Sequence, residues 1–124
     1  MSAIARYYKF KGYPVAGYDR TPSDLTHELE KEGIDVHYED DIDFIPKDVE
    51  STLVVYTPAI PETLGEFVYV KEHNYTLIKR SRMLGELSQG QTCLAVAGTH
   101  GKTTTSTMVA HILNPGHNGC SAFL

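Results

Sequence analysis

The sequence predicts an α/β fold in which helices cover a parallel sheet. Segments typical of strands alternate with segments of helical periodicity along most of the chain, and several strand segments are continuous apolar runs. Strands buried between two layers of helices have this composition, whereas strands with one solvent-facing side alternate polar and apolar residues. The 124 residues, of which 41% are hydrophobic and 22% charged, are enough for about one compact domain.

The first half of the chain is predicted to hold two helices and two strands. Ile4 and Tyr8 share the apolar face of a first helix, which ends before Gly12. Ser23 is a suitable N-cap for a second helix, which carries Leu25 and Leu29 and ends at Gly33. The predicted ranges are a helix at 2–11, a strand at 13–18, a helix at 23–33 and a strand at 34–38.

The second half continues the alternation. The run LVVY at 53–56 is β-branched and aromatic, as in strands buried on both faces, and Pro58 closes it. A helix at 62–74, a strand at 76–78 and a helix capped by Ser81 and extending to Leu87 come next. The apolar run CLAVA at 93–97 predicts a further buried strand, and residues 103–113 have helical periodicity.

Composition narrows the possible partners and location. A net charge of −5 argues against general nucleic-acid binding, which requires a basic surface. No apolar run approaches the roughly 18–20 residues that cross a bilayer, and the first residues lack the apolar core of a signal peptide. We therefore expect a cytoplasmic protein without membrane insertion.

Two groups of potential metal ligands lack the spacing of a metal site. Cys93 and Cys120 have no CxxC or Cys/His neighbours, so we expect two reduced, structural thiols. The acidic residues at 39–43 do not have EF-hand spacing, and consecutive carboxylates in a loop are usually solvated. We assign no chemistry to them.

The strongest chemical signal is a strand that leads through a glycine-rich loop into a helix. Glycines let backbone amides approach phosphate oxygens, and the helix N-terminus adds free N–H groups and a positive dipole. Lys102 can reach the β and γ phosphates, and the Thr103 hydroxyl can ligate Mg²⁺. Position 96 is Val96, where the common P-loop pattern has glycine, so a shorter variant of the loop is indicated. The predicted ATP-binding residues are Gly98, Thr99, His100, Gly101, Lys102, Thr103 and Thr104.

The loop AVAGTHGKTTT resembles the ATP-binding loop of the Mur ligase family. The segments MSAIARYY, GYDRTPSDLTHELEKEGI, VVYTPAIPE and KRSRMLGEL resemble the N-terminal part of its members. The resemblance implies a Rossmann-like, UDP-sugar-binding domain at 1–90 and the first strand, loop and helix of a P-loop ATPase domain at 91–124. Family members open with a strand and a glycine-rich turn before the position of Met1, so we expect this sequence to be a fragment without turnover of its own.

The resemblance also implies an activity. Family members carry out ATP- and Mg²⁺-dependent amide-bond formation in peptidoglycan synthesis. The motifs GYDRTP and TPAIPE favour a member that joins L-alanine to UDP-N-acetylmuramate through an acyl phosphate. Lys102 would be the catalytic residue and Thr103 the metal ligand. Thr99 and Thr104 would hold phosphate or water, and His100 would be structural or lie near the phosphates.

The resemblance places the UDP-sugar site beyond the carboxyl ends of two strands, where ligands of parallel sheets bind. For Asp19, Arg20 and Thr21 the alternative is an exposed turn, and for Thr57, Ala59 and Ile60 it is a proline-fixed loop. We expect Arg80 and Arg82 to lie at the solvated start of a helix. The predicted UDP-sugar-binding residues are Asp19, Arg20 and Thr21 in the first group and Thr57, Ala59 and Ile60 in the second.

Two other functions stay open at this point. One is a family member that adds a peptide, instead of L-alanine, to the same sugar nucleotide. The other is a non-catalytic nucleotide- or dinucleotide-binding module, for which Asp19 is a possible ribose-binding acid but the required glycine-rich turn is not visible.

Overall fold

A computed structural model of the chain describes residues 1–114 and 120–123. These residues contain α-helices and parallel β-strands in alternation, which confirms the predicted α/β class. A short 3-10 turn at Ile42–Phe44 was not predicted. The elements in chain order are α1 Ser2–Phe10, β1 Ala16–Tyr18, α2 Asp24–Lys31, β2 Asp35–His37, β3 Leu53–Tyr56, α3 Gly65–Glu72, β4 Thr76–Lys79, α4 Arg80–Ser88 and α5 Lys102–Leu113.

The strands form two parallel pairs instead of the single predicted sheet. β1 pairs with β2, with Ala16 opposite Asp35, and β3 pairs with β4, with Leu53 opposite Thr76. Within the described residues no strand joins the two pairs. Each pair is one βαβ unit, in which α2 or α3 connects two neighbouring parallel strands.

The predicted strand at 93–97 is wrong for the described residues. This segment pairs with no strand among them, and Leu94 is 63% exposed. The apolar run that suggested burial is a side-chain signal, whereas a strand also needs a neighbour to accept and donate its backbone hydrogen bonds. The loop and helix after this segment do form, at the predicted place.

Several predicted boundaries and burials are also wrong in detail. α3 begins at Gly65 and not near residue 62, because residues 61–64 form a turn closed by the Leu64 N–H and the Pro61 carbonyl. Ser81 lies inside α4 and does not cap it. Leu53 of β3 is 45% exposed, since a two-stranded sheet leaves part of each face uncovered. Leu25 of α2 is exposed, and Thr26 is buried beside Leu29 in its place.

Other local predictions are confirmed. The Ser23 side chain accepts a hydrogen bond from the Thr26 N–H, and the Thr26 side chain accepts one from the Ser23 N–H, which forms a capping box at the start of α2. Gly12 and Gly33 end α1 and α2 with φ of +91° and +84°, a region that only glycine enters at little cost. Cys93 and Cys120 are free, as expected, but both are exposed and neither is part of a core.

Two small apolar cores support the fold, and both involve the β3–β4 pair. The first lies between this pair, α3 and the segment around Ile45. The second joins α1 to α4 and β4 through Ile4, Ile78 and Met83. Tyr8 packs at its edge and donates a hydrogen bond to Sδ of Met83, at 3.3 Å, and burial raises the pKa of its phenol.

Helix α1 also contacts the first βαβ unit. Nε of Arg6 lies 2.9 Å from a carboxylate oxygen of Glu32, and its Nη2 lies 3.3 Å from Glu28 of α2. These exposed ion pairs contribute little stability each, but they tie α2 to the helix that packs on the other unit. Across the described ranges, no helix combines the length and apolar character needed to traverse a bilayer.

The second core makes a clear stability prediction for Ile4. This side chain is 5% exposed, so Ile4→Ala should lower the free energy of unfolding by about 2–4 kcal/mol through lost burial and the cavity left behind. Urea denaturation of the chain measures this change. Phe10→Ala on the same helix is the control, because Phe10 is 88% exposed and its truncation should change stability by less than about 0.5 kcal/mol. Equal losses for the two variants would contradict the assignment of α1 to this core.

Candidate functional site

The glycine-rich loop ends in a conformation suited to anion binding. Gly101 is the N-cap of α5 and has φ 74° and ψ 10°, the left-handed region. The first intrahelical hydrogen bond runs from the Thr105 N–H to the Gly101 carbonyl, at 2.9 Å. The N–H groups of Lys102, Thr103 and Thr104 precede that bond, and all three residues are exposed. Free amides at the positive end of a twelve-residue helix form the arrangement that attracts phosphate.

The Lys102 side chain closes the loop on itself. Its Nζ donates a hydrogen bond to the Gly98 carbonyl oxygen at 2.7 Å, so the ammonium group lies over the loop. Nδ1 of His100 and Oγ1 of Thr99 are 3.2 Å apart. The structure therefore brings the predicted loop residues together around one backbone turn, and the Lys102 ammonium group binds the Gly98 carbonyl of that turn.

The surroundings of Thr103 are compatible with a role as magnesium ligand. Its carbonyl accepts a hydrogen bond from Oγ1 of Thr107, while its own hydroxyl makes no hydrogen bond within the described ranges. A hydroxyl in the first helical turn fits one position of an octahedral magnesium ion, whose other positions are commonly filled by water and phosphate oxygens. The described residues hold no group of three or more His, Cys, Asp or Glu side chains that would make a complete metal site.

The first group of predicted UDP-sugar residues forms a tight turn at the end of β1. Oδ1 of Asp19 accepts a hydrogen bond from the Thr21 N–H at 3.1 Å, and the Asp19 N–H donates to the His37 carbonyl at 3.1 Å. Asp19, Arg20 and Thr21 are all exposed. The Asp19 carboxylate thus has one oxygen engaged in the turn and its backbone held by β2.

The second group forms another turn, after β3. The Ile60 N–H donates to the Thr57 carbonyl at 3.2 Å, and the Ile60 side chain packs against the first core. Ala59 is exposed and Thr57 is half-buried. Since β1 and β3 belong to different strand pairs, the two groups lie on different βαβ units.

One groove in the described part of the chain is lined by none of the predicted UDP-sugar residues. It has a volume of about 820 Å³, runs beside β1 and β2, and is lined in part by Val36 and His37.

Arg82 is paired with Glu86 at 3.2 Å and is 77% exposed, in agreement with a solvated start of α4. Arg80 lies near the N-terminal amine, whose pKa is lowered by burial and by the charge of Arg80.

A polar cluster that the sequence did not predict joins β2 to the start of α3. Nε2 of His37 lies 2.8 Å from Oε1 of Glu66, and the Asp41 N–H donates to the same oxygen at 3.1 Å. The Asp40 carboxylate accepts from the N–H groups of Gly65 and Glu66 at 2.7 and 2.8 Å. The expectation that these carboxylates are merely solvated is therefore wrong for Asp40, whose carboxylate caps α3, whereas the exposed Asp41 contributes its backbone N–H. No local pattern reveals their partners, which are 25 or 26 residues away along the chain.

Comparisons with known proteins point to one family. Residues 1–92 match the family model described as "Mur ligase family, catalytic domain". Over the whole chain, the identity is 54% with a UDP-N-acetylmuramate--L-alanine ligase of Parabacteroides distasonis and 52% with one of Porphyromonas gingivalis. The chain spans 28% of the length of both relatives.

Solved structures agree with the sequence comparison. The UDP-N-acetylmuramate-alanine ligase MurC of Thermotoga maritima superimposes with a TM-score of 0.84 at 30% identity, over 91% of this chain and 26% of that one. The UDP-N-acetylmuramate:L-alanyl-gamma-D-glutamyl-meso-diaminopimelate ligase of Neisseria meningitides gives a TM-score of 0.81 at 27% identity, over 94% of this chain and 36% of that one. The parallel βαβ units and the helices around them are therefore a fold that these ligases share.

Gly101 gives a local prediction for the loop. An alanine in the left-handed region costs about 1–2 kcal/mol, so Gly101→Ala should open the first turn of α5. Hydrogen exchange of the Thr105 amide, which bonds to the Gly101 carbonyl, should accelerate by about 5- to 30-fold. Gly98→Ala is the control, because its φ is not positive and an added Cβ meets only the His100 carbonyl, at 3.4 Å. Unchanged exchange in Gly101→Ala would show that the turn does not depend on this conformation.

Proposed function

The chain belongs to the Mur ligase family, and from this premise we propose that it is part of a ligase that joins L-alanine to UDP-N-acetylmuramate in peptidoglycan synthesis. The observation that carries the proposal is the 50–54% identity, along the whole chain, with relatives named as this ligase. The glycine-rich loop supports it independently, since its geometry suits the phosphates of ATP.

We propose a division of labour along the chain. Residues 1–90 form the UDP-sugar-binding domain, and residues 91–124 begin the ATP-binding domain. The end of the family match at residue 92 and the lack of helix or strand at 92–101 support a boundary near this point. Turnover then needs parts of the ligase other than these residues, because one loop and one helix enclose little of a nucleotide.

The split sheet supports a further part of this proposal. Family members open with a strand and a glycine-rich turn, and such a strand would supply hydrogen-bond partners for edges that are unpaired in the described residues. Its turn would also add backbone amides to the UDP-sugar site. We propose that this strand completes one parallel sheet from the two pairs.

Lys102 is the residue to which we assign the chemical role. Transfer of the γ-phosphoryl group to the substrate carboxylate spreads negative charge over the phosphoryl oxygens. An ammonium group held over the loop stabilises this charge, provided that Nζ exchanges the Gly98 carbonyl for phosphate oxygens. Bound Mg²⁺, with Thr103 as one ligand, would supply further positive charge to the phosphates. The amine of L-alanine then attacks the acyl phosphate and phosphate leaves.

The other loop residues hold the nucleotide. The amides of residues 102–104 and the backbone of Gly98 and Gly101 surround the position of the phosphates, and Thr99 and Thr104 offer hydroxyl groups to phosphate or water. His100 is held next to Thr99, which favours a structural role near the phosphates over general-base catalysis.

For the UDP-sugar, we propose that the turn after β1 contributes side chains and the turn after β3 contributes backbone. Asp19 keeps one carboxylate oxygen free of the Thr21 N–H and can accept from the uridine, with Arg20 and Thr21 beside it. Ile60 is directed into the core, so it and its neighbours Thr57 and Ala59 would act through main-chain groups. The two proposed ligands, ATP and UDP-N-acetylmuramate, are cytoplasmic metabolites, and this supports a cytoplasmic location.

Removal of the Lys102 charge should affect chemistry and leave sugar binding intact. In the complete ligase, we expect Lys102→Ala to lower kcat by about 10²–10³-fold, as for loss of one group that stabilises a transition-state charge. The KM for UDP-N-acetylmuramate should change by less than about twofold. Steady-state phosphate release measures both constants. Lys31→Ala, an exposed lysine in the last turn of α2, is the control, and a Lys102→Ala enzyme with the kcat of this control would refute the role of Lys102.

The structural match to the tripeptide-adding ligase makes peptide addition the second candidate. Both amine donors present the amino group of an L-alanyl residue, and they differ in the group attached to its carbonyl carbon. We expect kcat/KM of the complete ligase to be at least about 100-fold higher with L-alanine than with L-alanyl-γ-D-glutamyl-meso-diaminopimelate. The reverse preference, in the same phosphate-release assay, would make the second candidate correct.

A further inference from the structure

We propose that His37 and Glu66 are positioning residues for the UDP-sugar site. Their hydrogen bond sets the distance between the turn at residues 19–21 and the turn at residues 57–60, which lie on different βαβ units. The inference rests on the proposed function for the identity of the ligand. The geometry that carries it comes from the polar cluster between β2 and α3.

His37 is attached directly to the first turn. It lies opposite Tyr18 in the β1–β2 register, and its carbonyl accepts the hydrogen bond from the Asp19 N–H. Any movement of His37 is therefore passed through a backbone hydrogen bond to the residue whose carboxylate is proposed to meet the uridine.

Glu66 is attached to the second turn through a short, constrained connection. Two consecutive turns, closed at Ile60 and Leu64, lead from the end of β3 to the start of α3. Glu66 is the second residue of that helix. A shift of the α3 N-terminus moves the residues that precede it, because few of them are free to absorb the change.

The link between these two points is directional and nearly buried. The side chains of His37 and Glu66 are 12% and 11% exposed. Since the Asp41 N–H also donates to Oε1 of Glu66, this oxygen acts as an acceptor and Nε2 of His37 as the donor. The His37 ring is stacked on Phe44 with 4.4 Å between ring centroids, which limits its rotation.

Asp40 adds a second set of hydrogen bonds between the segment after β2 and the start of α3. Leu64 is the N-cap of α3 and offers no side-chain acceptor, and Asp40 accepts hydrogen bonds from the first two helical amides in its place. An added Cβ on Gly65 would lie 3.0 Å from Oδ2 of Asp40, so a larger residue there would require the Asp40 carboxylate to shift by about a few tenths of an ångström. The segment after β2 thus caps α3 through Asp40, and Glu66 of α3 in turn accepts from the Asp41 N–H of the same segment.

Such a cluster affects geometry more than stability. A nearly buried hydrogen-bonded pair gains little free energy over apolar side chains of the same size, but its atoms have defined positions. Within the described part of the chain the strand pairs share no backbone hydrogen bonds, so their relative placement there depends on side-chain contacts such as this pair and on the packing of α1, to which the strand proposed to complete the sheet would add backbone bonds.

The first test separates binding of the sugar nucleotide from chemistry in the complete ligase. Glu66→Ala should raise the KM for UDP-N-acetylmuramate by about tenfold through misplacement of the two turns. Its kcat and its KM for ATP should stay within about twofold of wild type. Glu66→Gln keeps an oxygen acceptor for His37 and Asp41 and should restore most of the KM.

Two controls on the same helix exclude a general loss of stability. Glu72→Ala removes an exposed carboxylate at the end of α3. Val70→Ala destabilises the first core, where Val70 is 4% exposed, without touching the cluster. Both should leave the KM for UDP-N-acetylmuramate unchanged. An equal rise of this KM in Val70→Ala and Glu66→Ala, or no rise in Glu66→Ala, would overturn the proposal.

A second measurement does not depend on the ligand. Backbone amide chemical shifts of the wild type and Glu66→Ala should differ both at residues 19–21 and at residues 57–60, and Glu72→Ala should show neither change. If the wild-type ligase does not bind UDP-N-acetylmuramate, the proposed function fails, and shifts in both turns still support positioning. Shifts confined to the vicinity of residue 66 would overturn the positioning role itself.

Discussion

The fold depends on how two βαβ units, whose strands form no common sheet within the described residues, are held in place. Backbone hydrogen bonds define each unit internally, but between the units the described contacts are made by side chains and helix ends. Helix α1 packs on β4 and α4 with its apolar face and pairs with α2 through Arg6. The cluster of His37, Glu66 and Asp40 makes the second connection, at the edge where β2 ends. The proposed sugar-nucleotide site therefore inherits its shape from contacts that lie outside it.

The predictions from sequence succeeded where the determinants are local. The helix α5 after the glycine-rich loop, the strand β3 and the Ser23 cap are each encoded within a few neighbouring residues, and each occurs within one residue of its predicted place. Gly101 adopts the left-handed conformation that a tight turn before a helix requires. The glycine-rich loop could be predicted from one short segment because all its determinants are contiguous.

The failures have a common physical origin in long-range pairing. The strand predicted at 93–97 lacks a neighbour in the described residues, and the single predicted sheet is divided for the same reason. The start of α3 is displaced by the turn at residues 61–64, and its capping carboxylate, Asp40, lies 25 residues earlier in the chain. For the candidate UDP-sugar residues, sequence indicated the strand ends but not that Ile60 is directed into a core or that Asp19 is held by His37. Such relations arise only after the chain has folded.

The division of the sheet also has a consequence for the behaviour of the chain in solution. A two-stranded parallel unit has two outer edges whose amide and carbonyl groups are not paired within the unit, and exposed edges of this kind are templates on which another chain can add a strand. In and near α5, the exposed side chains of Leu94, Met108 and Ile112 add apolar surface that other molecules can contact. Unpaired strand edges and exposed apolar side chains together favour self-association as the protein concentration rises.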